Sequence, residues 1–261
     1  MKVAILCGGR GTRLREVSDI VPKPMVHVGH MPILWHIMKI YSCHGLHDFV
    51  LLLGYKGEVI REFFLNFAMH ATDVTVDLSR TDPGRLTFHG TPNEPWKVTL
   101  VDTGESALTG ARIRNARHFL DDAETFMVTY GDGVGDIDIA RLLKFHQSHG
   151  RIATLTAVRP PGRFGELEVH DCAVESFAEK PQVTGGYING GFFVFNRALF
   201  DGYLPARDDL MLEREPLEQL IADKQLMAFA HDGFWQPMDT PREHQLLNDL
   251  WASGKAPWKR W

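Results

Sequence analysis

The 261-residue sequence has no apolar run approaching the roughly 18 residues that span a bilayer, so no membrane-spanning helix and no membrane partner are expected. Cysteine is scarce. Cys7, Cys43 and Cys172 are odd in number, widely spaced and without a C-x-x-C pair, which argues against a disulfide framework or a zinc site. A basic block is also missing: 28 Lys and Arg stand against 33 Asp and Glu, for a net charge of −5. Long nucleic acid is a poor partner for such a chain, whose cations must act by being gathered at one place. Thirteen histidines occur without an H-E-x-x-H string, and EF-hand spacing is absent, so neither motif supplies a metal site. His146 and His149 are expected as polar positions of an amphipathic helix. The amino-terminal apolar stretch carries one Lys and meets glycine after Cys7, too short for a signal peptide, and a cytoplasmic protein is expected. Repeats, low-complexity tracts and linkers are lacking, which predicts one domain over residues 1–261.

The common phosphate-binding strings fail too. G-x-G-x-x-G read from Gly9 ends on Leu14, and G-x-x-x-x-G-K-[ST] occurs nowhere. What is present is a strand candidate, Val3 to Cys7, that runs through Leu6 into Gly8-Gly9-Arg10-Gly11-Thr12-Arg13, with Pro22-Lys23-Pro24 beyond. Three glycines in four residues let backbone N–H groups approach a ligand without Cβ in the way. Arg13 and Lys23 frame the same loop, making a cradle for a polyanion, most commonly phosphate. This G-G-x-G-T-R-L string followed by P-K-P resembles the signature of sugar-1-phosphate nucleotidyltransferases. The transfer they perform is an in-line displacement at the α-phosphorus, in which positioning and charge neutralisation dominate. Arg13 suits the departing pyrophosphate through two parallel N–H bonds, and Lys23, stiffened by its flanking prolines, suits the α-phosphate.

Strand and helix patterns alternate along the chain. Residues 3–7, 48–53, 98–101, 125–130, 152–158 and 192–195 read as strands; 31–45, 58–70, 213–223 and a stretch after Asp138 that ends near Gly150 read as helices. The alternation predicts an α/β fold with a mostly parallel sheet flanked by helices, a small β-hairpin insertion over 163–177, and a helical tail from Pro241. Ligands bind at the carboxyl ends of such strands. The Gly8–Arg13 loop, the Gly131-Asp132-Gly133 turn and the residues after the 152–158 strand should therefore open onto one cleft.

Within that cleft Asp132 follows a buried strand and can hold Mg²⁺, with Asp239 its natural partner if the fold brings the two together. Against this stand a plain Asp-Gly turn at Asp132 and a helix cap at Asp239. Lys180 is placed to pair with a sugar's phosphate, and Glu179, Asn189 and Gly190 to meet its hydroxyls; an exposed E-K-P turn is the competing reading. Residues 99–112 should read the base, with Thr103, Gly104 and Thr109 beside Arg112. Arginine offers only donors, so Arg112 facing N3 and O2 favours cytosine over uracil; a solvated Arg112 on a first helical turn is equally open. Trp251, Trp258 and Trp261 suggest a subunit contact, or packing of the tail onto the core.

Over its whole length the chain resembles the glucose-1-phosphate cytidylyltransferases. The resemblance is carried by Trp96 with Val98 to Gly104, by Tyr130 to Val134, Pro160 to Gly165 and Ile188 to Phe193, and by Phe234 to Thr240. It implies a Rossmann-like fold, Mg²⁺ dependence, homo-oligomers, and CDP-glucose made from CTP and α-D-glucose 1-phosphate for the dideoxysugars of surface polysaccharides such as O-antigen. It implies nucleotide contacts at Leu6, Gly8, Gly9, Gly11, Thr12, Arg13, Lys23 and Gly131, metal contacts at Asp132 and Asp239, and sugar-phosphate contacts at Glu179, Lys180 and Asn189. Cys7, Arg10 and Leu212 depart from the pattern, and Leu212 with Tyr187 is expected at the border of the sugar pocket. Another sugar phosphate, dTTP or UTP remains open as substrate. A glycosyltransferase would show a D-x-D motif, which Asp132-Gly133-Val134 lacks, and a nucleotide-sensing module could dispense with the two carboxylates.

Overall fold

The computed structural model describes residues 1–11, 21–91, 94–160, 166–170, 173–178 and 186–261. At its centre is a seven-stranded sheet of β1 (Lys2–Leu6), β2 (Asp48–Leu53), β3 (Lys97–Asp102), β4 (Thr125–Tyr130), β5 (Ala153–Val158), β6 (Ile188–Asn196) and β7 (Leu226–His231), in the spatial order β7-β5-β6-β4-β1-β2-β3. Parallel pairing joins β1 to β2 and β4, β2 to β3, and β5 to β7. β6 alone runs antiparallel to its neighbours β4 and β5. The expected mostly parallel sheet is present, with one reversed strand inside it.

The central strands are apolar at nearly every position because both faces of the sheet are covered. Val3, Ile5 and Cys7 pack into one core with Phe49, Leu51 and Leu53, while Ala4 and Leu6 pack into the other with Val50 and Leu52. The longer helices are α1 (Ile33–Ser42), α2 (Gly57–Leu65), α3 (Thr109–Asn115), α4 (Ile139–His149), α5 (Glu215–Ala222) and α6 (Pro241–Ala252). The first face is covered by α1, α2, α4 and α6 through residues such as Ile37, Ile60, Leu142 and Leu247. The second is covered by α3 and α5 through Ala111, Ile113, Leu217 and Leu220. Each fully buried aliphatic side chain is worth roughly 1.5–3 kcal/mol over an exposed one. Leu212, expected at the sugar pocket, is instead fully buried in this second core.

Boundary signals in the sequence work as read. Asp138 caps α4 by accepting the N–H of Arg141 at 2.9 Å, and Gly150 ends that helix at φ +64. The first helix begins later than expected, because Met31–Pro32 pairs with His27–Val28 as a short antiparallel ladder before Ile33. The 58–70 helix is broken at Asn66 into two pieces. The expected hairpin is present as Glu166–His170 against Ala173–Ala178, and its Asp171 turn residue lies outside the described residues. A second hairpin, Asp73–Val76 against Leu86–His89, carries no signal that the sequence pattern disclosed.

Two expectations are corrected. His146 is not a solvated helix position: it is buried, and its Nδ1 lies 2.8 Å from the Thr154 hydroxyl, which His149 Nε2 also meets at 2.8 Å. Trp258 is not a surface anchor. It is 1% exposed, with its indole N–H donated to His36 Nδ1 at 3.4 Å. Trp251 stands edge-on to the His36 ring at 4.6 Å, and Trp261 meets the Trp35 ring at 5.6 Å, so the tail closes on its own core.

Candidate active site

The glycine loop leaves the carboxyl end of β1 and is stitched to both neighbouring strands. Cys7 donates its N–H to Leu52 O at 3.0 Å, Tyr55 donates to Gly8 O at 3.2 Å, and Gly131 donates to Leu6 O at 3.1 Å. Gly131 must lack a side chain here, since a Cβ would lie 2.8 Å from that same Leu6 carbonyl. A cavity of about 240 Å³ opens at this point, lined by Leu6, Cys7, Gly9, Gly11, Lys23, Pro24, Tyr130, Gly131, Asp132 and Asp239. The Cys7 thiol on its wall is held neutral by burial and then by the nearby Asp132 carboxylate, which push its pKa up. Sequence reasoning brought the glycine loop, Lys23, Asp132 and Asp239 to one cleft, and the structure does the same. Of the residues directly after β5, the described Arg159 and Pro160 do not line this cavity, and 161–165 lie outside the described residues.

Lys23 is the hub. It opens a short 3-10 turn, Lys23–Met25, behind Pro22, and its Nζ donates to Asp132 Oδ2 at 2.6 Å and to Asp239 Oδ1 at 2.5 Å. Burial works against its charge, yet Asp132 first and Asp239 next outweigh that and raise its pKa above the ordinary lysine value. A two-stranded ladder explains why the two carboxylates meet. Gly133–Gly135 pairs antiparallel with Trp235–Pro237, and Met238 N–H closes the end of the ladder on Asp132 O at 2.8 Å. The helix-cap reading of Asp239 fails, because Thr240 caps α6: its side chain accepts from Glu243 N–H, and the Glu243 carboxylate accepts from Thr240 and Asp239 N–H at 2.9 and 2.7 Å. Asp239 is therefore held at its backbone while its carboxylate faces Lys23.

Arg112 is placed differently from either sequence reading. It is 4% exposed and not among the cavity-lining residues. Its guanidinium donates to Leu53 O, Gly104 O, Gly8 O and Glu105 O and to the Thr103 hydroxyl, all between 2.8 and 3.1 Å. A Cβ on Gly8 would lie 2.2 Å from it, and one on Gly54 2.3 Å. The first glycine of the loop is thus a glycine partly to admit Arg112, and Gly54, which the sequence did not single out, serves the same end. Thr103 is likewise committed, donating its hydroxyl to Leu53 O at 2.6 Å, and Gly104 turns the chain at φ +94. Burial lowers the Arg112 pKa below the usual guanidinium value.

On the other flank Asn189 donates its amide to the Tyr130 hydroxyl at 3.2 Å, and Gly190 O accepts the Trp235 indole N–H at 2.8 Å. Thr109 at the start of α3 donates its hydroxyl to Glu213 at 2.6 Å. Tyr187 is 45% exposed and lies under Arg159, whose guanidinium is 4.7 Å from the ring centre. Thr12, Arg13, Glu179 and Lys180 lie outside the described residues.

A nucleotidyl transferase family model matches residues 2–242. The chain belongs to the nucleotidyl transferase family. Among relatives, it is 52% identical to the glucose-1-phosphate cytidylyltransferase of Salmonella typhimurium over the full length of both chains. It is 30% identical to a mannose-1-phosphate guanyltransferase of Schizosaccharomyces pombe, across 97% of this chain and 65% of that protein. Of solved structures, HddC from Yersinia pseudotuberculosis complexed with GMP-PN superposes with a TM-score of 0.67 at 25% identity, covering 96% of this chain and 99% of that one. The Rossmann-like sheet is therefore that of a nucleotidyl transferase.

In this nucleotidyl transferase the sequence missed Tyr130 as a cavity-lining residue and Glu213 as the acceptor of its hydroxyl. The signal for Tyr130 was its place directly before Gly131-Asp132; Glu213 had none beyond a charge after an apolar run. A divalent cation fits what is present. Two carboxylate oxygens from distant parts of the chain already converge on one cationic atom, and hard anionic oxygens are what Mg²⁺ takes, one or two at a time, beside phosphate and water. Among the described residues no group of three or more His, Cys, Asp or Glu side chains able to hold a metal occurs.

Proposed function

We propose that this nucleotidyl transferase joins CTP to α-D-glucose 1-phosphate, giving CDP-glucose and pyrophosphate. The observation that carries the reaction class is the Lys23 ammonium held between Asp132 and Asp239 at the mouth of a glycine loop. The choice of CTP and glucose 1-phosphate follows the name of the relatives that are 52% identical over the whole chain. The sugar-phosphate oxygen forms a bond to the α-phosphorus, and the bond from that phosphorus to the bridging oxygen breaks, so pyrophosphate leaves with the electron pair. Loop amides at Gly9 and Gly11 receive the phosphate chain, and Lys23 neutralises charge at the α-phosphate. Arg13 is assigned to the pyrophosphate, and Glu179, Lys180, Asn189 and Gly190 to the sugar phosphate. Asp132 and Asp239 would hold Mg²⁺, which supplies charge neutralisation to the phosphates when bound. Arg112, which does not line the cavity, is assigned with Thr103, Gly104 and Thr109 to the base side from behind, where its guanidinium holds the carbonyls of Gly8, Leu53, Gly104 and Glu105 in place.

The same reading makes residues 1–261 one cytoplasmic nucleotidyltransferase domain that supplies activated sugar for polysaccharide synthesis. Among the described residues no helix is long and apolar enough to cross a membrane. The exposed apolar side chains of the 73–89 hairpin, Val76 and Leu78 among them, support a homo-oligomer. Pyrophosphate release, measured with CTP, UTP, dTTP, ATP and GTP and a panel of sugar 1-phosphates, tests the assignment. CTP with glucose 1-phosphate should give the highest kcat/KM; a clear preference for dTTP or UTP, or for another sugar, would overturn it.

A further inference from the structure

Beside the cavity four side chains form an unbroken chain of hydrogen bonds. The Thr109 hydroxyl accepts the Leu212 N–H at 2.9 Å and donates to one Glu213 oxygen at 2.6 Å. The other Glu213 oxygen accepts the Tyr130 hydroxyl hydrogen at 2.5 Å. The Tyr130 oxygen in turn accepts from Asn189 Nδ2 at 3.2 Å, while Asn189 Oδ1 accepts the Gly191 N–H at 2.9 Å. The chain runs from the first residue of α3 to β6, on the flank assigned to the sugar phosphate.

Direction is what makes this chain informative. A phenol has one hydrogen to give. With Glu213 taking it, the Tyr130 oxygen can only accept, and it therefore fixes which end of the Asn189 amide faces it. The Gly191 N–H fixes the other end. One Asn189 N–H remains to donate, in a set direction. Among the described residues Glu213 meets the sugar flank through this chain, its two oxygens accepting from the Thr109 and Tyr130 hydroxyls.

Resting on the activity proposed above, we infer that Glu213 is a positioning residue for the sugar phosphate. By polarising the chain through Tyr130 it orients the Asn189 amide, which then donates to a sugar hydroxyl. An isosteric Glu213→Gln replacement brings N–H donors to the Tyr130 oxygen, frees the phenol to turn, and leaves the amide free to flip. Tyr130→Phe keeps the ring against Gly191 but removes the link.

Steady-state kinetics with each substrate varied in turn decides the matter. Glu213→Gln and Tyr130→Phe should each raise KM for glucose 1-phosphate about tenfold, the loss of one oriented hydrogen bond. KM for CTP and the melting temperature should stay at wild-type values. In an Asn189→Ala background neither change should raise KM for the sugar phosphate further. The relay is overturned if the single variants keep the wild-type KM, if their effects add to that of Asn189→Ala, or if both KM values move with a loss of thermal stability. Should Glu213→Gln fail to fold, Tyr130→Phe carries the same test alone. A wild-type enzyme inert toward CTP and glucose 1-phosphate sinks the proposed activity and the relay together; an active wild type with indifferent variants sinks the relay only.

Discussion

The Lys23 side chain sits 10% exposed between two carboxylates that would otherwise repel one another, so it has a structural task beside the chemical one proposed for it. Lys23→Ala should lower kcat by roughly 10²- to 10³-fold, the scale of losing one preorganised charge-stabilising group, read by pyrophosphate release. Asp132→Asn and Asp239→Asn should each depress turnover severely and raise the Mg²⁺ concentration needed for half-maximal rate; a variant with wild-type rate and Mg²⁺ response clears that residue of the role. Gly54→Ala drives a methyl to within 2.3 Å of the Arg112 guanidinium. It should cost about 1–3 kcal/mol in urea unfolding, the range for overpacking, and raise KM for CTP, although Gly54 does not line the cavity. The glycine loop was legible because its residues are contiguous and of one type. Gly54 was not, and Arg112 was singled out without its task, which shows only when the fold lays the guanidinium across four carbonyls.

Among the elements, the short ladder between Gly133–Gly135 and Trp235–Pro237 and the cap of α6 together set Asp239 against Asp132. Thr240→Ala removes half of the capping box and should destabilise the protein by about 1 kcal/mol in urea, with Thr240→Ser restoring it. Periodicity disclosed the buried strands because a sheet covered on both faces needs apolar residues throughout, as in Asp48–Leu53 and Thr125–Tyr130, whose ends were read correctly. It did not disclose β7, an edge strand with half-exposed residues, or the 73–89 hairpin, whose residues are mostly exposed and carry no clean alternation. The reversed direction of β6 was equally silent, because side-chain pattern does not encode strand polarity.

Across the whole molecule, two buried imidazoles tie stability to pH. Burial pushes His36 and His146 down to about 4, while an unfolded histidine titrates near 6.5. Both are neutral in the folded protein, where His36 Nδ1 accepts from Trp258. Their contribution is complete above about pH 6.5 and is lost as pH falls toward 4, because the unfolded chain binds these protons first; each is worth up to about 3 kcal/mol. Unfolding free energies measured at pH 7, 5.5 and 4.5 should fall steadily, and His146→Gln should flatten the decline; an unchanged slope would remove His146 from the explanation. One consequence of the Lys23 hub concerns synthesis. Asp132 follows Lys23 by 109 residues and Asp239 follows it by 216, so a nascent chain that has not yet reached Asp239 offers the lysine at most one of its two acids. The two-acid clasp closes only once that later carboxylate has been delivered and its segment has paired with Gly133–Gly135.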